Sequence, residues 1–145
     1  MIEDSTLPPM LAMICWSMVM FLWLYATRIP AMKQAGISPQ AAETPGALDV
    51  LPAWARRPAD NYNHLFEQPT VFYALATYVH LAGHADALNV GLAWLYVLLR
   101  VLHSLVQATV NVVVVRFALF SLSGLVLLAM TVREAARLFF GVSLP

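Results

Sequence analysis

From Pro9 to Thr27 the chain reads PMLAMICWSMVMFLWLYAT, an apolar run without a single charge. Three more mainly apolar runs follow, each with one charged residue, from about Leu65 to Ala82, Leu88 to Thr109 and Val112 to Val132. A helix needs roughly 20 apolar residues to cross the hydrocarbon of a bilayer, so the pattern predicts four membrane spans. The second run, LFEQPTVFYALATYVHLA, is the least apolar, and Pro69 near its start predicts a kink. The connections around GHADA and VN are very short, so spans two, three and four must be antiparallel neighbours.

The long connection runs from Arg28 to His64. It carries Pro30, Pro39, Pro45, Pro52 and Pro58 with Gly36 and Gly46, and its first half reads as irregular. The stretch PAWARRPADNYNHLFEQ reads as a helix running straight into span two. Composition agrees with a membrane protein: 61% of the 145 residues are hydrophobic and 11% charged, with mean hydropathy +0.72. A soluble domain is about a quarter charged. The predicted fold is an all-α four-helix membrane bundle, a single domain over residues 1–145.

Net charge is zero, which gives no field for nucleic acid, and the lone Cys15 excludes an internal disulfide framework. The start, MIEDSTLPPM, is acidic at Glu3 and Asp4 and lacks the basic flank of a cleaved signal peptide, so span one reads as permanent. Arg28, Lys33, Arg56 and Arg57 lie in the long connection, against Arg133 and Arg137 after span four. That bias places the long connection in the cytoplasm and both termini outside.

Within the apolar runs, polar groups recur at helical spacing. Arg100, His103, Gln107 and Asn111 fall on one stripe of span three with Ser104 beside it. Asn63, Glu67, Thr70 and Thr77 share a broad face of span two, and Arg116, Phe120 and Ser123 line up on span four. Arg28, Glu67, Arg100, His103, Gln107 and Arg116 all fall in the half of the bilayer nearer the long connection. At 1.5 Å per residue they occupy a layer about 15 Å deep. Arg28 and Arg116 can snorkel to the interface, but Arg100 cannot do so cheaply. Arg28, Arg57, Arg100 and Arg116 against Glu67 alone leave surplus positive charge. An anion is the expected partner: a lipid headgroup, a carboxylated ligand or a thiolate. His80 and His84 have the i, i+4 spacing of a metal pair but sit at the opposite end of span two, and read as interfacial histidines; no metal site is expected. His103 reads as an interhelical hydrogen-bond donor, with acid–base work as the other possibility.

The start NHLFEQPTVF of span two, the Arg-x-x-His pair (Arg100, His103) and Arg116 early in span four together resemble the MAPEG family, the membrane-associated proteins of eicosanoid and glutathione metabolism. The likeness covers nearly the whole chain and is greatest to short bacterial members. It implies a homotrimer in a bacterial inner membrane, with glutathione in a cytoplasm-facing cavity between subunits. Arg28 then matches a glutathione-contacting arginine, and Asn63, His64 and Glu67 fall on an Arg-Asn-x-x-Glu motif of which only Glu67 matches in type. Arg100 and His103 match the span-three pair, and Arg116 the arginine that stabilises the thiolate. An apolar electrophile or lipid hydroperoxide would be the second substrate of a transferase or peroxidase.

The chain departs from the family pattern at Gln107, where a tyrosine is usual, and at Phe117 and Phe120, where a serine and a tyrosine are. Those departures favour the alternative, a non-catalytic protein holding an anionic lipid headgroup. A small transporter is a third reading, without broken helices or repeats to support it.

Overall fold

The computed structural model describes residues 5–141, so the acidic start at Glu3 and Asp4 lies outside the described residues. The described residues form five α-helices: α1 Leu7–Gln34, α2 Ala53–His64, α3 Gln68–Leu81, α4 Ala87–Ala108 and α5 Val113–Phe140. A short 3-10 turn, Pro39–Glu43, interrupts the long connection.

Helix α1 starts on prolines in its first turn, where a missing N–H costs nothing. It runs through Pro30 to Gln34, two turns beyond the expected end at Thr27. Gly36, left-handed at φ 66°, then turns the chain. The Ile37 N–H returns to the Met32 carbonyl at 3.0 Å, and the Ile37 side chain packs against the buried Ala31, Leu51 and Ala55. This glycine-terminated closure stops a helix that composition alone would end earlier.

The expected unbroken helix into span two is interrupted. Glu67 takes φ −92° and ψ −101°, outside the helical region, and Pro69 in the first turn of α3 has no N–H to give to an upstream carbonyl. Two separate helices result, and α3 is only 14 residues long. At 1.5 Å per residue that is about 21 Å, short of the roughly 30 Å of a bilayer core. Among the described residues three helices are long and apolar enough to cross a membrane: α1, α4 and α5. Asp86 starts α4 by accepting the Asn89 N–H at 2.9 Å. α5 continues through Arg133 and Arg137 to Phe140, past the expected end at Val132.

α4 lies against α1, α2 and α5, while α3 bridges α1 and α5. Its buried positions, Asn89, Ala93, Tyr96, Val97, Arg100, His103, Ser104 and Gln107, recur every three or four residues. Ala76 and Ala93 keep the centre narrow, and Phe72 stacks on Tyr96 with ring centroids 4.5 Å apart. Between α3 and α5 the contact is closer still. A Cβ on Gly124 would stand 3.0 Å from Gln68 Nε2, and Ser123 Oγ donates to Gln68 Oε1 at 3.2 Å. The outward faces of α1 and α5 are apolar along their length, as hydrocarbon surroundings require.

At the end that carries the N-terminus of α1, Thr6 Oγ1 donates to the Ala76 carbonyl at 2.7 Å. A polar clasp also gathers there. Arg133 donates to both Asp86 oxygens at 2.9 and 2.7 Å, and Arg137 reaches Asp86 Oδ2 at 2.5 Å. Buried Glu134 meets His84 at 2.6 Å and Asn89 at 2.8 Å. Arg133 and Arg137, expected as tail residues of the basic count, are thus built into the bundle. His80 and His84 turn to different partners, Ser5 and Glu134.

Candidate functional site

The opposite end of the bundle is where α2 and the first turns of α3 and α5 meet the last turns of α4. Here a cleft of about 190 Å³ is lined by His64, His103, Val113, Arg116, Phe117 and Phe120. Three helices supply it: α2 through its last residue, α4 through the buried stripe, and α5 through its first two turns.

Arg100 does not line the cleft but stands against two residues that do, His64 and Phe120. Its residue surface is 0% exposed. Nη2 donates to the His64 carbonyl at 3.0 Å, and the guanidinium carbon lies 5.5 Å from the Phe120 ring centre. Nε and Nη1 are buried with no hydrogen-bond partner among the described residues. A guanidinium offers five N–H donors, and leaving buried ones unused costs about 1–3 kcal/mol each. The cation–π contact recovers only about 0.5–2 kcal/mol. The protein by itself therefore leaves this charge under-compensated.

His64, His103 and Phe120 form a triangle of rings. Their centroids are 5.9 Å (His64–His103), 6.0 Å (His64–Phe120) and 5.9 Å (His103–Phe120) apart. His103 is buried with Nδ1 unpartnered. On the outer side, His64 Nδ1 lies 2.9 Å from Glu67 Oε2.

Arg116 is fixed by the turn that ends α4. Asn111 adopts φ 53°, the left-handed region that asparagine tolerates better than most residues. Its N–H returns to the Val106 carbonyl at 2.7 Å, and its Oδ1 accepts from Arg116 Nη1 at 2.8 Å. Asn111 is therefore not a fourth member of the α4 stripe. It lies past the helix end and aims Arg116.

The structure brings together His64, Glu67, Arg100, His103 and Arg116. Of these, His64, His103 and Arg116 line the cleft, Glu67 and Arg100 contact the lining, and the other sequence-derived residues stand apart. Gln107 is buried and accepts from Asn61 Nδ2 at 2.9 Å, tying α2 to α4. Asn63 is exposed. Arg28 is half-buried inside α1, with Nε lacking a partner. The shared face expected for Asn63, Glu67, Thr70 and Thr77 is split by the break at Glu67, and the two threonines bond back to their own backbone at Glu67 and Tyr73.

Sequence reasoning missed Asn61, Asn89 and Glu134. A polar residue in an amphipathic helix gives little signal, although Glu134 between Arg133 and Arg137 was a legible charge cluster. Arg57 also ties α2 to the end of α4, donating to the Thr109 carbonyl.

The search of curated proteins and the search of solved structures each returned no significant match. The model of the MAPEG family matches residues 6–136. With nearly its whole length matched, this chain belongs to the MAPEG family.

Proposed function

We propose that the protein binds glutathione or a related thiol at this cleft, with the thiolate facing Arg116. The observation that carries this is Arg100: a buried guanidinium with two N–H groups unused among the described residues, in contact with His64 and Phe120 of the cleft that Arg116 also lines. Family membership supports the same ligand class. An arginine is a suitable stabiliser, because it stays charged under all ordinary conditions and lowers the pKa of a neighbouring thiol. Glu67 is the carboxylate beside the cleft and would meet the ligand's ammonium group. Arg28 does not line this cleft and would meet a ligand carboxylate only from a neighbouring protomer. A transferase or peroxidase reaction on an apolar electrophile follows from thiolate formation, since Val113 and Phe117 give the mouth of the cleft an apolar rim.

Size argues for a partner subunit. Small-molecule sites are usually about 300–1,000 Å³, and this cleft is about 190 Å³. A neighbouring protomer supplying the missing wall would give the homotrimer that the resemblance implies. The basic long connection favours a cytoplasm-facing site in a bacterial inner membrane.

The second reading is a non-catalytic protein that holds an anionic lipid headgroup. Phe117 and Phe120 favour it, because neither can supply the hydroxyl that would position a thiol. Equilibrium dialysis of labelled glutathione against the detergent-solubilised protein separates the two. Saturable binding that falls at least about tenfold in Arg116→Ala, the size of one lost charge-assisted hydrogen bond, is the expected result. Retention of anionic lipid with no glutathione binding would favour the second reading.

A further inference from the structure

His64 stands where the family motif has an asparagine, and its surroundings are those of a proton acceptor. Its Nδ1 lies 2.9 Å from the Glu67 carboxylate, a close ion-pair contact without the alignment of a hydrogen bond. Its ring forms part of the cleft lining and is held edge-on by His103 and Phe120. The side chain is about a third exposed, so the ring is neither sealed in the core nor free in solvent. With Nδ1 turned to Glu67, Nε2 is the nitrogen left for the cleft. A base near its operating pH, oriented by a third group, is the arrangement that activates weak nucleophiles.

We propose that His64, positioned by Glu67, accepts the proton of a thiol bound in this cleft. The step rests on the thiol-binding reading above and adds a role to it. The S–H bond breaks, an N–H bond forms at His64 Nε2, and the electron pair stays on sulfur facing the Arg116 guanidinium. The resulting imidazolium is compensated by Glu67 on one side and the thiolate on the other. His64 thus takes over work for which the chain has no hydroxyl at Phe117 or Phe120.

The charged and titratable groups that face His64 are Glu67 at the start of α3, Arg100 and His103 on α4 and Arg116 on α5. On α1 the charged groups are Arg28 and Lys33, neither of which lines the cleft.

The test counts protons. Glutathione is titrated into the solubilised full-length protein at neutral pH by calorimetry in buffers of different ionisation enthalpy, while thiolate is followed by ultraviolet absorbance. The wild type is expected to form thiolate with almost no net proton release, because the proton stays on His64. In His64→Gln, thiolate at neutral pH is expected to fall at least about tenfold, the factor that about one pK unit of lost proton affinity gives. Glu67→Gln should lower it as well while keeping the ring.

A full proton released per thiolate in the wild type overturns the proposal, as does a His64→Gln protein with unchanged thiolate and proton count. The wild-type count decides even if a variant fails to fold. Glutathione that binds with full proton release removes only the role of His64. Glutathione that does not bind at all removes the thiol reading with it.

Discussion

Gln107 shows how a single buried polar residue is read from sequence and then assigned. Its place on the Arg100–His103 stripe was legible from spacing, and it is buried. Its partner was not legible, because Asn61 lies 46 residues away, in a segment whose helical form depends on docking. The expected cost of Gln107→Leu is about 1–3 kcal/mol, since buried Asn61 would lose the acceptor for Nδ2. Thermal unfolding of the purified variant reads it. An unchanged midpoint would mean the pair contributes nothing to the docking of α2. Phe72→Ala, which removes a fully buried ring stacked on Tyr96, should cost more, about 3–5 kcal/mol.

At the scale of elements, hydropathy located every long helix, and local backbone chemistry set where each one ends. Composition could not see that Gly36 closes α1 only at Gln34, or that the turn at Glu67 and Pro69 divides α2 from α3. That division leaves His64 as the last residue of α2, at the edge of the cleft, with Glu67 in the break beside it. The clasp at the other end was equally hidden. Arg133 looked like a tail charge because the apolar run ends at Val132.

Asp86 is held below its ordinary value of 3.8, chiefly by the Arg133 hydrogen bonds, against an opposing effect of burial. A carboxyl depressed in the folded state stabilises it fully above its unfolded value and loses that contribution as pH falls through the folded one. Asp86→Asn keeps the helix cap and removes the charge. The midpoint difference between wild type and Asp86→Asn should therefore be largest near neutral pH and shrink as pH drops from about 4 towards 2. A difference independent of pH would assign the clasp to shape rather than charge.

On the scale of the molecule, the two ends of the bundle solve opposite problems. The clasp pairs charges of both signs with one another, the half-exposed Asp86 and the buried Glu134 facing Arg133 and Arg137. The cleft end collects Arg100 and Arg116 and leaves Glu67 as their acidic neighbour. Charges at membrane depth are expensive, at several kcal/mol each, and the cleft end keeps a cost that the clasp end offsets by pairing. That asymmetry was visible in the sequence as surplus arginine. Which arginines converge was not, because Arg28 lies mid-helix in α1 and Arg57 is turned to a backbone carbonyl.

The most direct measurement is the thermal unfolding of the detergent-solubilised protein titrated with reduced glutathione. A ligand that binds only the folded state raises the midpoint as its concentration passes the dissociation constant. A saturable rise in the wild type, lost in Arg116→Ala, is the expected result. No rise at millimolar glutathione, with anionic lipid raising the midpoint instead, would contradict thiol binding at this cleft.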